Sequence, residues 1–212
     1  MRAFQRLIAS DGFEVMLFPL EYMYISQGEG EVYSHENTLN IDFLGYDANG
    51  RVYQCPYYAP CTCKCVATTA GSNNGRVFES TRKVHLADNT LRKVTFVVMH
   101  DDNPIASVGD TFTQGDLLGH TGTAGNVTGD HLHLNTAYGT YQGFEQVSGG
   151  QYQLINSSHI YQTCYVNDTV LVEDYNYTWL TYSGGNTYLI KKGKFPWVLY
   201  ARKIRENLTK YS

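Results

Sequence analysis

The chain has 212 residues, 42% of them hydrophobic, so it is long enough to bury a core and belongs with folded rather than disordered chains. Sixteen Lys and Arg residues against twenty Asp and Glu residues give a formal net charge of -4, which argues against a nucleic-acid-binding protein. Eighteen Tyr and twenty Gly residues, with only 17% charged residues, favour strands and tight turns, so the composition predicts an all-β fold.

The N-terminal lead-in, residues 1–21, contains no stretch that resembles a membrane span or a signal sequence. Its longest apolar run, 15–20, has six residues and includes Pro19. A membrane-spanning helix needs roughly 20 apolar residues, and the apolar part of a signal sequence needs about 7 to 15. We therefore expect no membrane span, synthesis in a cytoplasm, and release by lysis or inside a larger particle.

Short segments of alternating apolar residues recur between turn signals, which is typical of strands. This pattern, together with the many Gly residues, favours an antiparallel sheet joined by tight turns. The segments predicted to be strands are 22–26, 39–44, 93–100, 131–138, 152–155 and 170–173.

The C-terminal extension, residues 146–212, is predicted to contain a hairpin and one short helix. Strands at 177–182 and 187–192 would be joined by 183–186, whose two glycines permit the positive φ of a tight turn. Apolar residues recur on one helical face over 197–208. About 67 residues is near the lower limit for an independent core. Since no flexible linker precedes the extension, we expect it to pack on a core at 22–145 as one domain.

Two histidines two positions apart, His131 and His133, are the first indication of a reactive site. On a strand such residues face the same way, with Cα atoms about 6.7 Å apart. One imidazole could then ligate a metal while the other lies beside the metal-bound water. By itself, however, such a pair is more often a packed or solvated pair than a metal site.

His35 and Asp42 strengthen the metal interpretation. The segment between them passes from a polar loop into an apolar strand, so Asp42 would be a buried carboxylate between two apolar neighbours. Two His ligands and one Asp ligand leave the fourth position of a zinc ion open for water, which is typical of catalytic zinc. Such an ion lowers the pKa of the water and polarises a carbonyl oxygen. His100, which follows the apolar segment 94–99, is a further candidate for this site.

The order of these residues resembles that of the lysostaphin and LytM-type zinc metallopeptidases, peptidase family M23. The resemblance covers roughly residues 22–138 and includes Tyr58-Ala59-Pro60 and the Gly-spaced loop 115–129. It implies a zinc endopeptidase acting on peptidoglycan peptides, with an antiparallel sheet as the floor of a loop-walled groove. It also implies roles for five residues: zinc ligands His35, Asp42 and His133, and catalytic non-ligands His100 and His131.

The resemblance also implies substrate contacts and shows two departures from the family pattern. Gln27 and Asn126 lie where family members line the groove, so we expect them to bind substrate. The six residues between His35 and Asp42 exceed the three of most cell-wall members, and this longer spacing resembles the peptidases of bacteriophage tail tips. Asp130 replaces the usual Pro before the histidine pair, which leaves the ligands intact but affects the stiffness of the loop.

The remaining Cys and His residues are not expected to form a second metal site, so we predict one zinc ion per chain. On a strand, the cysteines at positions 61, 63 and 65 would span about 13 Å, too far for one ion, and packing explains them better. The odd total of five Cys also argues against a fold held together by disulfides. The other histidines, expected to be hydrogen-bonded or exposed, are His85, His120 and His159.

The leading hypothesis is a zinc endopeptidase in the tail of a phage particle, which opens the host cell wall during infection. Its expected partners are peptidoglycan peptides and other phage tail proteins. One alternative is a lysis enzyme released at the end of infection. Another is a non-catalytic structural or wall-binding virion module that retains zinc. Turnover on cell walls separates this last alternative from the enzymes.

Overall fold

The protein is described by a computed structural model that covers five stretches of the chain. Almost all regular structure in these stretches is β-strand, and the only helix among them is the short α1 (Ile160–Thr163). No helix in the described part is long and apolar enough to cross a membrane. The all-β, antiparallel fold class is therefore confirmed. The described residues are 3–166, 170–171, 177–183, 186–191 and 200–203.

Twenty strands are assigned within the described residues. The first ten are β1 (Tyr22–Gln27), β2 (Ile41–Leu44), β3 (Tyr46–Asp47), β4 (Gly50–Arg51), β5 (Pro56–Tyr58), β6 (Cys63–Thr68), β7 (Arg76–Ser80), β8 (Val84–His85), β9 (Leu91–Arg92) and β10 (Val94–Met99). The others are β11 (Thr111–Phe112), β12 (Leu117–His120), β13 (Leu132–Tyr138), β14 (Phe144–Gln146), β15 (Tyr152–Leu154), β16 (Ser157–Ser158), β17 (Val170–Leu171), β18 (Leu180–Ser183), β19 (Asn186–Lys191) and β20 (Tyr200–Lys203).

A nine-stranded sheet forms the centre of the molecule. Eight strands follow the order β11-β6-β7-β10-β13-β2-β1-β17, and β16 pairs with β13 off this path. Strands β1 and β17 are parallel, whereas the other pairs in this sheet are antiparallel. The central strands β10 and β13 are buried along nearly their whole length because both faces of the sheet are covered.

The two faces of the sheet pack against different clusters of apolar side chains. On β10, Phe96 belongs to the main core, whereas its neighbour Val97 belongs to a smaller cluster on the other face. The same alternation applies to β2 and β13, where Phe43 packs in the main core. Asp42 and His133 therefore lie on the face that points away from the main core.

Each of the six predicted strand segments contains a strand, with ends that differ by one or two residues. Residues 172–173 of the last segment lie outside the described part of the chain. The predicted hairpin is also present, because β18 pairs with β19 and Ser183 lies opposite Asn186. The Gly-rich segment 115–129 is not loop throughout, since it contains β12.

The prediction of a helix over 197–208 is wrong for residues 200–203, the part of that range that the structure describes. Tyr200–Lys203 forms β20, which pairs antiparallel with β19. Pairing with the edge of β19 satisfies the backbone of this segment as a strand, and such a distant partner overrides a local helical pattern. Residues 192–199 and 204–212 lie outside the described part.

The lead-in and part of the C-terminal extension pack against the main core. In the lead-in, the Phe18 amide donates to the Tyr165 carbonyl at 2.8 Å, and the Tyr165 amide donates to the Met16 carbonyl at 2.8 Å. In the extension, β16 pairs with β13 and β17 pairs with β1. Ile160 and Trp179 are buried in the main core. The predicted domain boundaries stay a prediction.

Candidate active site

Asp42 and His133 lie directly opposite each other on adjacent strands. They are register partners in the antiparallel pair of β2 and β13, so their side chains share one face of the sheet. Oδ1 of Asp42 lies 2.9 Å from Nδ1 of His133. Both side chains are largely buried, with exposed fractions of 7% for Asp42 and 9% for His133. The sheet itself therefore brings a carboxylate and an imidazole together.

His35 comes from the loop between β1 and β2 and completes a triangle of donor atoms. Its Nε2 lies 3.2 Å from Oδ1 of Asp42 and 3.4 Å from Nδ1 of His133. Its Nδ1 lies 3.1 Å from the Gly28 carbonyl oxygen, which can only accept a hydrogen bond. Nδ1 therefore carries the proton, and the lone pair of Nε2 faces the other two donors.

This donor set fits a zinc ion. Zinc bonds of about 2.0–2.1 Å in a tetrahedral arrangement place two ligand atoms about 3.3 Å apart. The three donor-to-donor distances in the structure are 2.9, 3.2 and 3.4 Å. Two imidazoles and one carboxylate are also ligands that zinc prefers. Within the described stretches, His35, Asp42 and His133 are the one group of His, Cys, Asp and Glu residues that could hold a metal ion.

The protonation states of this triangle also suit a cation. Burial raises the pKa of Asp42, but the neighbouring imidazoles of His133 and His35 outweigh burial and hold that pKa well below its usual range. Burial lowers the pKa of His133, although its hydrogen bond to Asp42 opposes the shift. The carboxylate is therefore charged and the His133 imidazole neutral at pH 7, which are the forms that bind metal.

Two more imidazoles, those of His100 and His131, lie beside the triangle. The ring centre of His100 is 4.5 Å from that of His131 and 5.8 Å from that of His133. His100 Nδ1 donates to the Ala124 carbonyl at 2.8 Å, and His131 Nδ1 donates to the Gly129 carbonyl at 2.7 Å. Each ring is thus oriented by the loop between β12 and β13 and keeps its Nε2 for other chemistry.

These two imidazoles differ in their surroundings. Burial lowers the pKa of His100 to about 4, so its ring is neutral at pH 7. Nε2 of His131 lies 3.4 Å from Oδ2 of Asp42, so this imidazole borders the triangle of donor atoms. His100 also has a φ of 81°, a strained value for a residue other than glycine. This turn of the backbone follows the end of β10.

Asp130 has a role in the structure that sequence reasoning missed. Its side chain is buried. Oδ1 accepts a hydrogen bond from the Thr121 hydroxyl at 2.6 Å, and Oδ2 accepts one from the backbone amide of Gln54 at 2.9 Å. The Arg51 guanidinium lies 3.4 Å from Oδ1 and donates to the Asp130 carbonyl. Because Asp130 directly precedes His131, these contacts connect the start of the histidine pair to the segment 45–55. The only signal in the sequence was a charged residue beside the histidine pair.

The two predicted substrate-binding residues differ in their surroundings. The Gln27 side chain donates to the Val32 carbonyl at 2.9 Å and accepts from the Ser34 hydroxyl at 2.9 Å, so it braces the loop before His35. Asn126 is exposed in the loop between β12 and β13. Their contact with substrate stays a prediction, and the structure gives Gln27 a bracing role as well.

The remaining histidines and cysteines lie away from the triangle. His85 pairs with Asp11 at 2.8 Å, His159 pairs with Glu29 at 2.7 Å, and the His120 side chain is partly exposed. All five cysteines are buried and free, in keeping with a packing role. Glu29, which sequence reasoning did not single out, lies next to Gly28, whose carbonyl orients His35.

Comparison with known proteins finds no protein-family model that matches the chain. Among curated proteins, it is similar to morphogenesis protein 1 of Bacillus phage B103. The two sequences are 39% identical over 175 residues, which make up 81% of this chain and 46% of the phage protein. The chain therefore spans less than half the length of this curated relative.

Among solved structures, the chain is similar to a zinc-containing peptidase from Vibrio cholerae, at 18% identity and a TM-score of 0.44, over 63% of this chain and 43% of that one. It is also similar to the catalytic domain of lysostaphin from Staphylococcus simulans, at 18% identity and a TM-score of 0.42, over 57% of this chain and 84% of that one. The solved structures are thus peptidases, and the curated relative is a phage protein.

Proposed function

We propose that this chain is a zinc-dependent endopeptidase that hydrolyses peptide cross-links of bacterial peptidoglycan. The observation that carries the proposal is the convergence of three donor atoms, from His35, Asp42 and His133, beside the rings of His100 and His131. Three protein ligands leave one position of a tetrahedral ion open, as in catalytic rather than structural zinc sites.

In this proposal His35, Asp42 and His133 hold the ion, and His100 and His131 act on the substrate. When bound, zinc supplies Lewis-acid chemistry, because it acidifies water and polarises the carbonyl group of a peptide. Nε2 of His100 or His131 accepts a proton from the attacking water and returns it to the leaving amine. In its protonated form, the same imidazole stabilises the negative charge that develops on the carbonyl oxygen.

We further propose that the protein acts at the host cell wall as part of a phage particle, in its tail. The similarity to morphogenesis protein 1 of Bacillus phage B103 supports the link to a phage. Peptidoglycan peptides are then the substrate, and other tail proteins are candidate partners. Mass spectrometry of purified virions tests this placement, since a lysis enzyme would be found in the lysate and not in the particle.

The activity is tested by digesting purified cell walls with the full chain and identifying the released peptides by mass spectrometry. We expect new amino and carboxyl termini with zinc present, no release after chelation, and recovery when zinc is restored. His131→Ala, which leaves the three proposed ligands in place, is the matched control and should bind walls without cleaving them. Binding without cleavage by the unmodified chain would instead identify a non-catalytic wall-binding module.

A further inference from the structure

The loop that precedes His35 rests on a buried acidic side chain, Glu29. The Glu29 side chain is only 9% exposed, and its Oε2 lies 2.7 Å from Nδ1 of His159. Its Oε1 is buried with no hydrogen-bond partner in the described structure. Burying a carboxylate costs free energy unless it is paired, so the contact with His159 fixes the position of the Glu29 side chain.

The partners of Glu29 belong to a cluster in the C-terminal extension, which we call the aromatic anchor. The ring of Tyr161 stacks on His159, with ring centres 4.8 Å apart, and on Tyr177, with ring centres 5.3 Å apart. Trp179 packs edge-on against both tyrosines and is only 3% exposed. The aromatic anchor is therefore a rigid surface continuous with the main core, and it consists of His159, Tyr161, Tyr177 and Trp179.

A single peptide group joins the aromatic anchor to the proposed zinc site. The Gly28 carbonyl accepts the hydrogen bond from Nδ1 of His35 at 3.1 Å, and the Glu29 amide donates to the Tyr177 hydroxyl at 2.8 Å. This carbonyl and this amide belong to the same peptide unit, which is planar and does not rotate internally. Holding the amide at Tyr177 therefore sets the direction of the carbonyl that orients His35. Hydrogen bonds on both sides of one peptide group also strengthen each other.

We propose that Tyr177 and Glu29 are positioning residues for His35, through which the C-terminal extension sets the geometry of the metal site. The inference rests on the proposed function in one respect, namely that His35 ligates zinc. Hydrogen bonds to the second nitrogen of a ligating histidine fix its tautomer and its ring orientation, and losing such partners typically weakens metal binding by about 10- to 100-fold.

The test compares Tyr177→Phe with Tyr161→Phe in the full chain. The first substitution removes only the oxygen that accepts the Glu29 amide, while the second removes a hydroxyl from the same stack outside this link. Two quantities are measured: the zinc dissociation constant, by competition with a chelator, and the visible absorption spectrum of the cobalt(II)-substituted protein. We expect Tyr177→Phe to weaken zinc binding about tenfold and to alter the cobalt bands. Tyr161→Phe should leave both unchanged.

A second pair of variants, Glu29→Ala and Glu29→Gln, separates positioning from general stability. Gln keeps an oxygen that can accept from His159, so it should retain most of the zinc affinity that Ala loses. Thermal unfolding is recorded for all four variants. The proposal is overturned if Tyr177→Phe and Glu29→Ala lower the melting temperature but leave the zinc affinity and the cobalt spectrum unchanged.

The same variants separate this inference from the proposed function. If the unmodified chain cleaves walls and Tyr177→Phe binds zinc normally, the positioning role fails and the peptidase assignment stands. If Tyr177→Phe weakens zinc binding as expected but the unmodified chain releases no peptide, the positioning role stands and the peptidase assignment fails.

Discussion

Replacing Asp130 with Ala is expected to destabilise the fold by about 3 kcal/mol, because it breaks a buried ion pair. The Asp130 side chain is 5% exposed and accepts hydrogen bonds from the Gln54 amide and the Thr121 hydroxyl. It also pairs with Arg51. Because His131 follows directly, loosening this network should displace the proposed catalytic ring of His131 while the three proposed metal ligands stay in place. We therefore expect lower turnover with zinc still bound.

The expected loss of stability follows from the ion pair that Arg51 loses. Removing one partner of a buried ion pair costs about 3–5 kcal/mol. The Arg51 side chain is 22% exposed and also donates to the Gly45 carbonyl at 2.8 Å and the Val52 carbonyl at 3.0 Å, so the lower end of that range applies. For a chain of this size, each kcal/mol lowers the melting temperature by about 2–4 °C, so a fall of about 6–12 °C is expected.

The matched control is Asp130→Asn. Its amide oxygen can accept from the Gln54 backbone amide, but its neutral side chain cannot pair with Arg51, so we expect a loss about 1 kcal/mol smaller than that of Asp130→Ala. Denaturant unfolding, zinc affinity and wall digestion are measured for both variants. The reasoning is refuted if Asp130→Ala is as stable as Asp130→Asn, or if it unfolds as expected but cleaves walls at the normal rate.

Three further predictions concern the proposed ligands, the loops and the extension. Asp42→Ala should lose both zinc and activity. His100→Ala should keep one zinc ion per chain by metal analysis and cleave walls about 10²- to 10⁴-fold more slowly. A metal-free His100→Ala would contradict this division of roles. Gly122→Ala should slow wall cleavage without releasing zinc. The added Cβ would collide with the His100 carbonyl oxygen and lie 2.7 Å from the Asp102 amide nitrogen. An unchanged cleavage rate would contradict this prediction. A chain ending at residue 146 lacks the main-core side chains of the extension and should neither unfold cooperatively nor retain zinc; a stable, active truncated chain would show that the extension is a separate module.

Several features of this protein could be predicted from the sequence because they depend on local patterns. The alternation of apolar residues was sufficient to predict six strands, since neighbouring side chains on a strand face opposite ways. The same alternation placed His131 and His133 on one face and indicated a buried carboxylate at Asp42. The division of roles within the histidine pair came from the resemblance to known peptidases and not from the pattern itself.

The tertiary structure decided what depends on residues far apart in the chain. Tyr200–Lys203 is a strand because the edge of β19 is available to it, which no local periodicity reveals. The orientation of each imidazole depends on a backbone carbonyl: His35 is oriented by Gly28, and the rings of His100 and His131 are oriented by the loop between β12 and β13. The sequence by itself therefore determined which side chains are available for a metal site. Only folding decided which nitrogen of each ring faces it, because a hydrogen bond between distant segments forms only once the sheet and its loops have packed.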